Sequence, residues 1–306
     1  MLNFLPAPIL GAASLLFISV NTIFWSIILY VFIFFKLISP LKSIRLFFAR
    51  VATVCARFWV ECNSFIFRVT QKMEWDIEGL ENLDRKKSYL LVSNHRSWTD
   101  IFVLQQVFKR EIPFLKFFLK KELIWVPFLG FAWWGLDFPF MKRYSREKLR
   151  KHPELRGKDI QTTRDKCKKF KDTPVSVINF LEGTRFNFEK KEKQNSPFIH
   201  LLKPKAGGIA LVLSSMGDYL SNILDITIVY PGNQPPHKFW DLLKGNIPNV
   251  TVRVNALPVP QKVVGKNYSE DTPFRQGFQQ WVNDLWQKKD KQIDSIITRY
   301  RQSDKS

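Results

Sequence analysis

The sequence predicts an α/β fold: a mixed sheet flanked by helices, preceded by an N-terminal membrane helix and an interfacial amphipathic helix. Three observations predict it. The first 35 residues carry no Asp, Glu, Lys or Arg. Apolar residues then recur at three- and four-residue steps through residues 40–72, with arginines between them. After Met73 short apolar runs alternate with polar loops and helical patterns, which is how strands separated by helices read.

The first element is a membrane anchor over residues 1–38. The run from Ile9 to Phe35 is interrupted only by Gly11, Ser14, Ser19, Asn21, Thr22 and Ser26. About 20 apolar residues span a bilayer core. A secretory signal would carry a basic start and a small-residue cleavage site. The amino end here has no Lys or Arg. Lys36, Lys42, Arg45, Arg50 and Arg57 all follow the apolar run. The positive-inside rule therefore places the body on the cytoplasmic side of the membrane. Residues 39–72 form the second element. Leu41, Ile44, Phe47, Phe48, Val51, Val54 and Phe58 make one face, and Arg45, Arg50 and Arg57 break it. That is helical amphipathicity of the interfacial kind. Arg57, Glu61 and Arg68 make a full crossing costly.

The third element is a catalytic body over residues 73–262. Candidate strands are 74–78, 88–93, 175–180, 225–230 and 250–255; helical patterns fall near 98–109, 146–171 and 205–216. The charged segment 142–171 reads as a solvated helix face. The fourth is a C-terminal helical extension, 263–306. Phe274, Phe278, Trp281, Val282 and Leu285 mark one face, continued by Ile293, Ile296, Ile297 and Tyr300. That face is expected to pack on the body.

Composition narrows the partners. The 306-residue chain has a formal net charge of +20, with 28 Phe and 10 Trp. Nucleic acid, an anionic membrane surface, or an acidic substrate or carrier protein would each suit that charge. Three cysteines without a CxxC spacing argue against a disulfide framework and a structural zinc site. No metal-ligand cluster is visible and no cofactor is expected.

Four stretches carry chemistry. Asn94-His95-Arg96-Ser97-Trp98-Thr99-Asp100 follows the apolar run 89–93. Extended, His95 and Asp100 would stand about 16 Å apart at roughly 3.3 Å per residue. A turn into a helix, capped by Ser97 or Asn94, brings them together. The carboxylate then fixes the imidazole tautomer and leaves the other ring nitrogen to take a proton. The second stretch, Leu181-Glu182-Gly183-Thr184-Arg185, ends a strand. Its glycine allows close backbone approach, and Arg185 offers a fork matched to phosphate oxygens. The third, Lys120 to Arg143, reads as basic, then apolar, then basic, and suits an apolar groove beside phosphate-binding charge. The fourth, Ile226 to Pro231, is a strand ending at a proline, fit to wall an apolar slot. Each taken alone also suits an ordinary turn, core segment or solvated face.

In this order, N-H-x-x-x-x-D, K-x-E-L-x-x-x-P-x-x-G with a later Arg, F-x-E-G-T-R and a strand ending Y-P, the stretches resemble the glycerolipid acyltransferase family. That family is typified by 1-acyl-glycerol-3-phosphate acyltransferase (PlsC-like). The resemblance covers roughly residues 75–235, and the membrane N-terminus with FLEGTRF looks most like bacterial inner-membrane acyltransferases of the YihG type. It implies that His95 deprotonates the acceptor hydroxyl and Asp100 holds His95. The lipid oxygen then attacks an acyl thioester, from acyl-CoA or acyl carrier protein, without a protein nucleophile. It further implies that Glu182, Gly183, Thr184 and Arg185 form the acceptor-binding loop, with Arg143 and Lys121 as further phosphate contacts. Lys120 is an equally legible choice for that lysine.

Two departures stand out. Leu181 replaces the family's usual proline. A basic, polar stretch from Phe186 to Lys203 precedes Pro204-Lys205-Ala206-Gly207, where the simplest members have few residues. The longer form leaves open whether the acceptor is lysophosphatidate or another lysophospholipid. From a different class, a membrane-tethered basic nucleic-acid-binding protein would also explain the charge, but the sequence shows no nucleic-acid motif and no nucleic-acid partner is expected.

Overall fold

Residues 2, 4–141, 170, 173–232, 238–263, 268 and 271–303 are described by a computed structural model. Helix α1 runs Ala7–Ile38 and α2 runs Lys42–Thr70. A proline in the first turn of α1 takes a position where no N–H is needed. The two helices fold back on each other. The polar residues that interrupt α1 mark the seam: the Asn21 amide donates to Asn63 Oδ1 at 2.9 Å, and Trp59 Nε1 donates to Thr22 Oγ1 at 3.1 Å. The outward face stays apolar, with Phe17, Val20, Phe24 and Phe34 exposed on α1 and Ile44, Phe47 and Phe58 on α2.

A 32-residue helix is about 48 Å long at 1.5 Å per residue. By length and composition α1 is able to cross a membrane. It also touches the body at both ends. Near its start, Gly11 lies against Trp240 and Lys244. Near its end, Lys36 binds Asp137 and the Gly135 carbonyl, and Gly135 leaves no room for a Cβ beside Ile33.

The body is a six-stranded mixed sheet. Its strands are β1 (Glu74–Glu78), β2 (Ser88–Ser93), β3 (Leu115–Phe117), β6 (Ser176–Phe180), β7 (Leu220–Val229) and β8 (Asn249–Leu257). A two-stranded side piece pairs β4 (Leu119–Lys120) with β5 (Phe140–Met141). The sheet order is β1-β8-β7-β2-β6-β3, antiparallel only between β7 and β8. Alternate residues of β2 face opposite cores. Leu91 packs with α1, α2 and α3 (Thr99–Phe108). Leu90 and Val92 pack with α6 (Ala206–Met216) and α8 (Thr272–Ser303). The short helices α4 (Leu129–Gly135), α5 (Phe188–Lys193) and α7 (Phe239–Leu243) complete the described elements.

Every strand expected from the sequence is present. β7 begins earlier than expected, because Ser221 and Asn222 break its apolar pattern; the register with β2 shifts at Ser221 and resumes at Asn222. β3 was not expected; three residues are too few to show a period. The tail packs on the body as expected, through Phe278, Val282 and Trp286. Arg143 and most of the expected helix 146–171 lie outside the described residues.

Candidate functional site

Three parallel neighbours, β7, β2 and β6, end at one edge of the sheet. The loops that leave a parallel sheet at its carboxyl edge are where ligands bind in open α/β folds. Ser93 at the end of β2 pairs with Phe180 on one side and Ile226 on the other. The chemistry-bearing residues therefore arrive side by side.

His95 and Asp100 meet as the spacing requires. His95 Nδ1 lies 2.8 Å from Asp100 Oδ2. That same oxygen accepts the backbone N–H of Arg96 at 2.6 Å and of Ser97 at 2.9 Å. The other oxygen accepts the Tyr230 hydroxyl at 2.6 Å. An ionised carboxylate is acceptor-only, so Nδ1 carries the proton and Nε2 is left as the acceptor nitrogen. No described residue makes a recorded hydrogen bond to Nε2. The imidazole stacks on Phe180, centroids 3.9 Å apart, and lines a cavity of about 460 Å³.

The capping expectation is not met: α3 begins at Thr99, Trp98 holds the N-cap position and no side chain caps it. Ser97 does work locally, its hydroxyl accepting the Thr99 N–H at 3.1 Å. Asn94 does not cap the helix. Its amide donates to the Ile228 carbonyl and accepts from the Ile228 N–H, so it continues the β2–β7 pairing beyond the strand end.

Glu182 is fully buried and joins two loops. One oxygen accepts the His95 backbone N–H at 2.8 Å; the other accepts the Leu202 N–H at 3.0 Å. Burial pushes its carboxyl up to about 7, although those two N–H groups and the nearby Arg96 pull the other way. Arg96 is itself buried, which lowers its pKa, while Glu182 and Asp100 favour its charge. Tyr230 is pushed up by burial and by Asp100. Gly183 sits at φ +68°, in the left-handed region, with the Lys205 side chain against it. Arg185 lays its guanidinium over Trp98 at 4.8 Å and lines the cavity. Lys190 donates to Thr184 Oγ1 and to the Arg185 carbonyl, both at 3.0 Å.

The cavity runs from this polar end into α1 and α2, past Leu29, Ala56, Phe117 and Phe138. Its wall includes Lys120 but not Lys121, which opens the following 3₁₀ turn. The sequence reading missed Lys190 and missed Tyr230 as the hydroxyl on Asp100. Lys190 had a local signal, being five residues beyond Arg185 on a helix that Asn187 caps. Tyr230 lies in the Ile226–Pro231 stretch, but its partner is 130 positions away and no local spacing points to it.

The arrangement pairs a carboxylate-oriented imidazole with a cationic loop at the mouth of an oily cavity. It can deprotonate a hydroxyl while an anionic group rests on Arg185.

The family model described as Acyltransferase matches residues 74–231. The chain is 27% identical over 238 residues to 1-acyl-sn-glycerol-3-phosphate acyltransferase 3 of Arabidopsis thaliana, covering 73% of this chain and 57% of that one. It is 24% identical over 313 residues to 2-acyl-1-lysophosphatidylinositol acyltransferase of Saccharomyces cerevisiae, covering 85% and 74%. The fold resembles the crystal structure of the 1-acyl-sn-glycerophosphate (LPA) acyltransferase PlsC from Thermotoga maritima. The TM-score is 0.50 at 15% identity, over 91% of this chain and 94% of that one. The chain spans about half the length of most of the curated relatives it matches.

Proposed function

The chain belongs to the Acyltransferase family, and on that premise we propose that it moves a fatty acyl group from an acyl thioester to the free hydroxyl of a lysoglycerolipid such as lysophosphatidate. The observation that carries the proposal is the convergence of His95–Asp100 and the 182–185 loop on one apolar cavity. The acceptor hydroxyl gives its proton to His95 Nε2. Its oxygen attacks the thioester carbonyl, and the tetrahedral adduct expels the thiolate. The proton on His95 then passes to that thiolate, so the base is restored. Asp100 stabilises the imidazolium in between. Arg185 receives the acceptor phosphate, with Gly183, Thr184 and Lys120 around it. Glu182 holds the loop and does not touch the substrate.

The donor is acyl-CoA or acyl carrier protein. The latter is acidic and suits a chain of net charge +20. Residues 1–38 and 39–72 engage the membrane, 73–262 form the catalytic body and 263–306 its helical extension. The exposed apolar faces of α1 and α2 support this reading. So do Trp125, Phe128, Phe131 and Trp134, exposed beside the end of α1. The basic residues after α1 favour the cytoplasmic leaflet of the inner membrane.

A second acceptor reading has its own support. The likeness to a lysophosphatidylinositol acyltransferase and the long stretch 186–203 favour an acceptor with a larger headgroup. Membranes holding wild type or His95→Ala would be given labelled acyl-CoA or acyl carrier protein and a panel of lysolipids. The proposal expects transfer that His95→Ala lowers about 10²–10⁴-fold. Equal transfer by both would overturn it, and a salt-sensitive shift of DNA instead would favour the nucleic-acid reading.

A further inference from the structure

The family match ends at residue 231, before α8. Yet α8 is tied to the site by a short series of hydrogen bonds. Asp290, almost fully buried, accepts two successive backbone N–H groups: Ile199 on Oδ2 and His200 on Oδ1, both at 2.7 Å. Trp286, fully buried one turn earlier, donates its indole N–H to the Leu202 carbonyl at 3.0 Å. The segment 194–205 belongs to no strand or helix. Its backbone groups still need partners, and α8 side chains supply four of them, Gln279 adding a bond to the Pro204 carbonyl at 3.3 Å. The Leu202 N–H is thereby aimed at Glu182 Oε2, and Glu182 Oε1 holds the His95 N–H.

We propose that Asp290 and Trp286 are positioning residues for acyl transfer, acting on His95 through residues 199–202 and Glu182. The inference rests on the acyl-transfer reading of the site. It explains why a long stretch after the 182–185 loop and a long terminal helix occur together in this chain. The Leu202 donor to Glu182 sits on a segment without helix or strand, and the helix supplies the rigidity that the segment lacks.

The relay is separable from the docking of α8. Lys289, fully buried, lies 2.7 Å from Asp225 Oδ1 and donates to the Ile226 carbonyl and to Thr227 Oγ1. Together with the packing of Phe278, Val282 and Ile293 this holds the helix on β7 and α6. Loss of the Asp290 carboxylate therefore loosens the backbone at 199–200 without freeing the helix, while His200–Asp294, Gln279 and Trp286 still tether the loop. The charged groups facing Glu182 are Arg96 and Asp100 from the His95 loop and Lys289 from α8.

Asp290→Asn tests the relay. One amide oxygen can accept only one of the two N–H groups cleanly, and the NH₂ opposes the other. The expected result is a folded enzyme with kcat lowered about tenfold, about the value of one charge-assisted hydrogen bond. The KM for the acyl donor should stay within about twofold. The acid limb of the kcat profile should move to higher pH, because a loosened Leu202 N–H no longer favours the Glu182 carboxylate. Amide exchange should quicken in 196–204 and also in 93–96 and 181–186. A folded variant with unchanged kcat and pH profile, or exchange changes confined to 196–204, would overturn the proposal. Should Asp290→Asn fail to fold, Trp286→Phe keeps an aromatic ring in the core and removes the indole N–H, leaving a small cavity beside it. It is expected to move kcat and exchange in the same directions, and no change in either would sink the idea. If the wild type acylates no lysolipid, the functional reading fails, while the exchange pattern still decides whether α8 reaches His95.

Discussion

Asp100→Asn separates the charge of the carboxylate from its geometry. Asp100 Oδ2 receives three donors, two of them backbone N–H groups at 2.6 and 2.9 Å that cannot turn away. An asparagine must therefore place its oxygen there, because an NH₂ would oppose both. The NH₂ then faces Tyr230, whose hydroxyl can reverse and accept. His95 Nδ1 keeps an acceptor at the same point, so the tautomer with Nε2 free survives. What is lost is the charge on the bond to the imidazolium. Hydrogen bonds to charged groups contribute about 1.5–3 kcal/mol and neutral ones about 1 kcal/mol. The difference, about 0.5–2 kcal/mol, lowers kcat roughly 2- to 30-fold. In the serine-protease case a wrong tautomer costs about 10⁴. The assay is thiol release from acyl-CoA with saturating lysolipid, beside the ¹⁵N shifts of the His95 ring. A loss of 10³ or more with the other tautomer in the spectrum would refute the argument that the backbone fixes the amide. Asp100→Ala should be far worse, since it removes the carboxylate that accepts from two buried N–H groups and from the Tyr230 hydroxyl.

Burial raises the Glu182 pKa from the ordinary 4.5 to about 7. Between those values the folded chain holds more protons than the unfolded one, so stability is greatest below about 4.5 and falls as pH rises to 7. The change is about 3 kcal/mol for this group. Denaturation in detergent at several pH values should show that slope, and Glu182→Gln should flatten it; an unchanged slope would refute it. Arg185→Ala should raise KM for a phosphate-bearing acceptor more than KM for the acyl donor, and the reverse ranking would displace the phosphate from this loop. Lys289→Met should destabilise by about 3–5 kcal/mol, because it leaves Asp225 buried without its cation. Adding Asp225→Leu should recover most of that in the thermal midpoint. Gly135→Ala should unseat the end of α1, since a Cβ there would stand 2.1 Å from Ile33; protease access to the α1–α2 turn reports it.

The legible parts of this chain are the local ones. His95 and Asp100 lie five residues apart, so one tight turn fixes their meeting whatever the rest of the fold does. The 182–185 loop, β1, β2, β6, α3 and α6 all declare themselves within a dozen residues. So do the apolar run of α1 and the amphipathic face of α2. Fold class, the central pair and an N-terminal helix long and apolar enough to cross a membrane therefore follow from the sequence by itself. The order β1-β8-β7-β2-β6-β3 does not, because pairing partners are non-local and β3 is too short to show a period. That order alone brings Tyr230 to Asp100, across 130 positions. A turn at the end of β4 selects Lys120 over Lys121 for the cavity wall, and no spacing rule separates two adjacent lysines. The same holds for Asp290 and Trp286. On the chain they are one polar and one apolar residue of an amphipathic helix. Only packing against a loop 90 and 84 positions away joins them, through Leu202 and Glu182, to the His95 backbone. A hydrogen-bonded turn depends on neighbours in sequence, whereas a buried network depends on which surfaces the whole core brings together.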